Sequence, residues 1–282
     1  MPEERIYATG AVKSLYDVRT FTYVPSGVPN QGGERYKPED IEDQHHVGIC
    51  TAISLTQNAR KALGVKFSAE FQYLMQKKFY DKNWDEGSSI SSALKVAKSI
   101  GLLPESEWKF SRERHRKLPY QEYIKKLRAV SDTDIERLKR LAAKYKIQAY
   151  ASVPVDRDLM AQAILESSAG LLTRYTIGNE WWKAPIEPLR PPKVVISGHA
   201  VTESNYTGVS FRIANTWGID WADKGTGYRI HNDYQPTEAW IVYYKEVPKV
   251  MEKKLESRDK LQGQLLDTLQ KLVELLRQQK NA

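Results

Sequence analysis

Asp43-Gln44-His45-His46-Val47-Gly48-Ile49-Cys50-Thr51-Ala52 is the stretch on which the fold of this 282-residue chain turns. After it, Ile53, Thr56, Ala59, Arg60 and Leu63 recur at steps of three and four, and Gly64 follows as a natural stop, so the spacing predicts a helix from Ile49 to Leu63 with Cys50 at its amino end. A thiol is nucleophilic only as thiolate, and unpaired N–H groups and positive dipole potential at a helix start draw its pKa down. Gln44 lies six residues upstream. Its side-chain N–H, beside the Cys50 backbone N–H, is the kind of donor pair that holds a developing oxyanion.

Two stretches further along complete the set. Ser197-Gly198-His199-Ala200-Val201 places an imidazole inside an apolar strand; taken alone, His199 reads as a satisfied core histidine. Asn215-Thr216-Trp217-Gly218 ends the next predicted strand, and a turn around Thr207-Gly208 would pair the two strands antiparallel and bring the Asn215 amide beside the ring. An amide oxygen there fixes the tautomer and orientation of a general base, and Trp217 would shield that bond or simply fill the core. Together the residues describe acyl transfer.

The ordered Gln44, Cys50, His199 and Asn215 set resembles the papain-like cysteine protease family. Gly48-Ile49-Cys50-Thr51-Ala52 is similar to the family's Gly-x-Cys and following small residue, with Thr51 where plant and lysosomal members carry tryptophan, as in bacterial and phage-type members. Trp221 and Gly227-Tyr228 echo later family positions, although Ala222 stands for the usual glycine. Glu86-Gly87-Ser88-Ser89 resembles the segment that pairs with the substrate backbone, Ser88 replacing its second glycine, and Tyr16-Asp17-Val18-Arg19 resembles the start of a mature domain. The resemblance covers residues 14 to 246 apart from a basic insertion. It implies hydrolysis of peptide or isopeptide bonds: Cys50 as nucleophile, His199 as base and then acid, Asn215 as its orienting amide, Gln44 in the oxyanion hole, and Gly87, Ser88, Ala200 and Trp217 against substrate. It also implies a cysteine pair where this chain has Val47 and Asp85, and a secreted leader that is missing here.

Composition narrows the alternatives. Hydrophobic residues at 41% and charged residues at 28%, with 16 Gly and 13 Pro, exclude collagen-like and wholly disordered chains. No apolar run is long enough for a transmembrane segment, and no signal peptide opens the chain, so a cytoplasmic protein is expected, or a virion-associated one if phage-encoded. The single cysteine excludes an intramolecular disulfide and a cysteine-only metal cluster. His45, His46, His115, His199 and His231 do not follow zinc-motif spacing, so no metal or cofactor is expected.

The predicted organisation is α+β: a two-lobe papain-like domain over residues 1–246 and a C-terminal amphipathic helix over 249–282. Within the domain lie an N-terminal arm (1–43), a helical lobe (44–108), a basic helical insertion (109–146) and a mainly β, barrel-like lobe (147–246). The turn-rich arm reads as an extended, surface-hugging segment, unlike a long inhibitory leader, so control by location or assembly is expected. Helices are expected at Ser68–Phe79, Ser91–Ser99, Tyr120–Val130, Asp132–Tyr145 and Leu159–Ser167. Residues 109–146 hold thirteen Lys and Arg against five Asp and Glu, equal to the whole net charge of +8. That segment reads as a solvated amphipathic insertion; without a recognition motif or stacking aromatics, nucleic acid is not an expected partner. In the tail Leu255, Arg258, Gln262, Leu265, Leu269, Leu272 and Leu276 follow alternating steps of three and four, a heptad seam with polar breaks near its start that points to a homo-oligomer or an assembly partner, with self-docking as the alternative. The substrate class reads as polypeptide or a peptidoglycan peptide. Two competing functions share the pattern: a catalytically silent papain-like binding or structural protein, possibly phage-associated, and a thiol-dependent amidase or transamidase acting on cell-wall peptides.

Overall fold

A computed structural model describes residues 8–15, 17, 20–25, 36–108, 110, 112–182, 187–230, 232–245 and 247, with 264, 268 and 271 in the tail. Two short arm strands, β1 (Ala11–Val12) and β2 (Phe21–Thr22), precede a helical section: α1 (Cys50–Leu63), α2 (Ala69–Met75), β3 (Ser88–Ser89) and α3 (Ile90–Ser99). Next come α4 (Arg112–Arg116), α5 (Tyr120–Arg128) and α6 (Asp132–Ala142). The remaining elements are β4 (Ala149–Val153), α7 (Arg157–Glu166), β5 (Leu171–Ile177), β6 (Ser197–Tyr206), β7 (Ser210–Ala214), β8 (Thr226–Ile230) and β9 (Glu238–Tyr243). Seven strands form one sheet in the order β2-β4-β9-β5-β6-β7-β8, antiparallel except where the arm strand β2 lies parallel to β4. The α+β class read from the sequence is the one observed.

Local chemistry explains where elements stop. Gly64 ends α1 in the left-handed region, with its N–H on the Arg60 carbonyl. Ser68, Ser89, Ser131 and Asp156 cap α2, α3, α6 and α7 through side-chain oxygens that accept the first free N–H groups. One helix departs from its periodicity: beyond Met75 the chain widens into a π-helical turn, Gln76–Asp81, instead of continuing as regular helix to Phe79. Within that turn Lys77 is only 2% exposed. Its Nζ meets Asp81 Oδ2 at 3.1 Å, Asn83 Oδ1 at 2.9 Å and the Gly87 carbonyl at 2.9 Å, which satisfies a charge that burial would otherwise penalise.

The basic segment is less solvated than its charge suggests. Tyr120, Tyr123, Ile124, Leu127, Ile135, Leu138 and Ala142 all enter the core shared with Val47, Ile53, Phe71 and Tyr73, while Lys125, Lys126 and Arg128 stay outside. Arg116 is itself buried: its Nε lies 2.6 Å from Glu70 Oε1 and its Nη1 3.2 Å from Glu42 Oε2, and the paired carboxylates raise its pKa against the opposing effect of burial. Amphipathic is therefore right, and a merely solvated appendage is wrong, because the apolar face completes the helical lobe.

Residues 1–245 form one compact unit and residues 246–282 a second. In the second, Gln264, Thr268 and Lys271 are helical and exposed, and Thr268 Oγ1 donates to the Gln264 carbonyl. The leucines of the heptad pattern, like Tyr16, Val18, Arg19, Lys109 and His231, lie outside the described residues. No helix among the described residues is long and apolar enough to cross a membrane.

Candidate active site

Cys50 is the first residue of α1 and has no solvent exposure. α1 lies against β6: Ser54 Oγ donates to the Ala200 carbonyl at 2.8 Å, and the nearby Ala200 main chain acts to lower the Cys50 thiol pKa. His199 is the residue before Ala200. Its Nε2 lies 2.7 Å from Asn215 Oδ1, which also accepts the Thr216 N–H at 2.8 Å. That second bond sets the amide's orientation, so the oxygen faces the ring and Nε2 must carry the proton. Nδ1 is left as the acceptor, buried and with no hydrogen-bond partner among the described residues.

The β6–β7 hairpin delivers this pair. It closes between Tyr206 and Ser210, with Gly208 at φ +91°, and its register sets Thr202 opposite Ala214, one residue before Asn215. Trp217 stacks on the imidazole at 4.4 Å between centroids and 27° between planes, and Trp181 meets it edge-on at 5.9 Å. Both indoles are fully buried. Trp221 Nε1 donates to the Trp181 carbonyl at 2.6 Å, so Trp181 anchors its loop in the β lobe.

Gln44 reaches the site through the strand end after Asn215. Its N–H bonds the Thr216 carbonyl at 2.9 Å, and its Oε1 accepts Thr216 Oγ1–H at 2.5 Å, which aims Nε2 outward from that pairing. Thr216 is thus a site residue that reading by motif passed over, although its hydroxyl beside the orienting amide was a usable signal. On the opposite wall Ser88 and Gly87 form a strand edge, and Glu86 Oε1 accepts the Gly48 N–H at 2.7 Å. Burial raises the Glu86 carboxyl pKa and that hydrogen bond opposes the rise.

The arm runs through this cleft, which corrects the expectation of a surface-hugging segment. Ala8 offers its carbonyl to Gln44 Nε2 at 2.9 Å and to Trp217 Nε1 at 3.0 Å. Gly10 accepts the Ser88 N–H at 2.8 Å and donates to the Gly198 carbonyl at 3.2 Å. Ala11 pairs in parallel register with Ser88, and its carbonyl takes Arg174 Nε at 2.8 Å. All of these contacts use the arm's main chain, so little in its side chains announces them. Gly10 is the exception: a Cβ there would lie 2.6 Å from the Gly48 carbonyl oxygen and 3.0 Å from the Gly87 Cα.

Burial opposes ionisation of both Cys50 and His199. Burial pushes the Cys50 thiol up to about 11, against the lowering effect of main-chain N–H groups and of Arg174. Burial likewise pulls His199 down to about 4, against the Asn215 hydrogen bond. Burial thus favours a neutral thiol and a neutral imidazole in the closed site, against the ionised thiol expected from the helix start.

No family model and no curated protein matches the sequence. Solved structures do. Xylellain, a cysteine protease from Xylella fastidiosa, is similar over 87% of this chain and 99% of its own, at 22% identity and a TM-score of 0.69. Procathepsin B from Trypanosoma congolense is similar over 85% of this chain and 87% of its own, at 12% identity and a TM-score of 0.55. A cysteine protease from Carica candamarcensis, solved with E-64, covers 73% of this chain and 93% of its own at 12% identity and a TM-score of 0.50. Likeness of this breadth at these identities speaks to architecture, and the chain is built on the papain-like cysteine protease fold.

Proposed function

We propose that the chain is a cysteine peptidase that cleaves peptide bonds with Cys50, His199, Asn215 and Gln44, and that its arm holds it closed. The observation that carries this reading is the imidazole: Nε2 is pinned by Asn215, Nδ1 has no hydrogen-bond partner among the described residues, and the next residue, Ala200, shares a core cluster with Cys50. With the arm out and water admitted, the thiol proton passes to Nδ1. The thiolate then attacks the substrate carbonyl carbon, forming a C–S bond. Gln44 Nε2 and the Cys50 N–H take the oxyanion. The imidazolium returns the proton to the leaving nitrogen as the C–N bond breaks. A water molecule, deprotonated by Nδ1, attacks the thioester and releases the carboxylate and the free thiol.

The closed form supports the same assignment. Ala8 presents a peptide carbonyl to the very amide that would hold an oxyanion, so the arm fills the cleft as a strand of peptide. The test is digestion of a peptide library by the chain lacking residues 1–14, beside the full chain and the shortened Cys50→Ala form, read by mass spectrometry. Cleavage by the shortened chain alone is the expected result. Equal cleavage patterns with and without Cys50 would overturn the assignment.

A further inference from the structure

Substrate or arm can pair with the site only if the strand edge at Gly87–Ser89 is held in place, and that edge follows an irregular loop with Gly87 at φ +91°. What holds it is a closed ring of hydrogen bonds. The Gly87 N–H donates to Tyr73 Oη at 3.1 Å, Tyr73 Oη lies 2.9 Å from Tyr120 Oη, and Tyr120 O–H donates to the Asp85 carbonyl at 2.8 Å. The chain of hydroxyls thus leaves the loop at residue 87 and returns to it at 85. Lys77 Nζ ties the Gly87 carbonyl and Asn83 from below. Tyr73 is fully buried and Tyr120 nearly so, and both rings sit in the helical-lobe core, so neither hydroxyl has freedom to wander.

Tyr120 opens α5, inside the basic segment whose role composition left unread. The same segment supports the other wall of the cleft: Arg116 Nη1 donates to the Asp43 carbonyl at 2.9 Å, and the Arg116 carbonyl accepts the His46 N–H at 3.0 Å, bracketing Gln44. We infer that Tyr120 and Tyr73 are positioning residues, which fix the Gly87–Ser89 edge for main-chain pairing with whatever peptide occupies the cleft, and that the basic segment exists in this fold to brace both walls. The inference rests on the peptidase reading for its kinetic consequence, though not for its structural one.

The test uses Tyr120→Phe and Tyr73→Phe, which keep the rings in the core and delete only the hydroxyls. In the full chain, amide hydrogen exchange over residues 85–89 should speed up by about tenfold, the loss expected for a buried hydrogen bond, with α1 and α5 unchanged. With the arm displaced, KM for a peptide should rise by about five- to tenfold while kcat stays within about twofold. Exchange at 85–89 equal to that of the parent, acceleration spread across α5, or a fall in kcat at constant KM would each overturn it. Exchange needs no turnover, so a parent protein without peptidase activity would remove the functional reading and leave this one decided by the exchange data.

Discussion

Replacing Gly10 by valine should open the site. Gly10 lies where the arm crosses between two backbone walls, and the added Cβ would meet the Gly48 carbonyl oxygen at 2.6 Å and the Cα atoms of Gly48 and Gly87 at 3.0 Å. Those are main-chain atoms that cannot swing aside as a side-chain end would. Overpacking of this kind costs about 1–3 kcal/mol, which at 1.4 kcal/mol per decade moves the closed-to-open balance by roughly 5- to 150-fold. Alkylation of Cys50 by iodoacetamide, mapped by mass spectrometry across pH, measures the change directly. In the closed form burial pushes the thiol pKa up to about 11. Only on the order of a thousandth of it is ionised at pH 8, by the ordinary titration relation. Gly10→Val should both raise the labelling rate at pH 8 and lower its pH midpoint, because water reaches the sulfur and removes the desolvation that lifted it. Val12→Ala is the control, since Val12 is 55% exposed and the change adds no atom between the two walls. A folded Gly10→Val protein with the parent's rate and midpoint would refute the idea that the arm closes the site.

Four further outcomes follow from the same geometry. Gln44→Ala removes the donor to the Ala8 carbonyl, so Cys50 labelling should rise while peptide turnover falls by on the order of a hundredfold, two opposite signs from one side chain. Arg116→Met strands Glu42 and Glu70 in the core and should cost about 3–5 kcal/mol in urea denaturation, recovered in part when Glu70→Gln is added. Burial in the folded chain pulls the His199 pKa down to about 4 from an ordinary 6.5, so its folded pKa is depressed. The stability it contributes is present above 6.5 and is lost as pH falls towards 4, by about 3 kcal/mol, and His199→Gln should lack that component of the acid dependence. Ala222 sits at φ +48°, and Ala222→Gly should raise the urea midpoint by a stability of about 0.5–1 kcal/mol.

What the sequence disclosed, and what it withheld, divides along a physical line. Cys50 at a helix start, the β6–β7 hairpin and the neighbourhood of His199 and Asn215 were legible because side-chain periodicity and turn residues specify them. The arm in the cleft was not, because Ala8, Gly10 and Ala11 act through N–H and carbonyl groups that every residue carries. The burial of the basic segment was half legible: Ile135, Leu138, Leu141 and Ala142 showed an apolar face, while the charge count hid the Arg116 pairing with Glu42 and Glu70. Near Val47 and Asp85, where the resemblance implies a cysteine pair, one hydrogen bond made by neighbours joins the two loops, Glu86 accepting the Gly48 N–H, and Tyr120 at the start of α5 donates to the Asp85 carbonyl.

The ionisation state eluded motif reading for a related reason. A helix start and a nearby imidazole favour thiolate locally, and that argument is sound for a site that water can enter. Burial adds a contribution of opposite sign, since it desolvates both groups and favours the proton on sulfur. On the proposed peptidase reading, closure would block the site twice, by occupying the Gln44 donor and by keeping the Cys50 thiol neutral. The two effects are expected to fall away together, because Ala8 occupies Gln44 Nε2 and Ala11 shares a core cluster with Cys50. A variant that freed Gln44 without lowering the alkylation midpoint of Cys50 would separate them and show that burial by the arm is not what holds the thiol neutral.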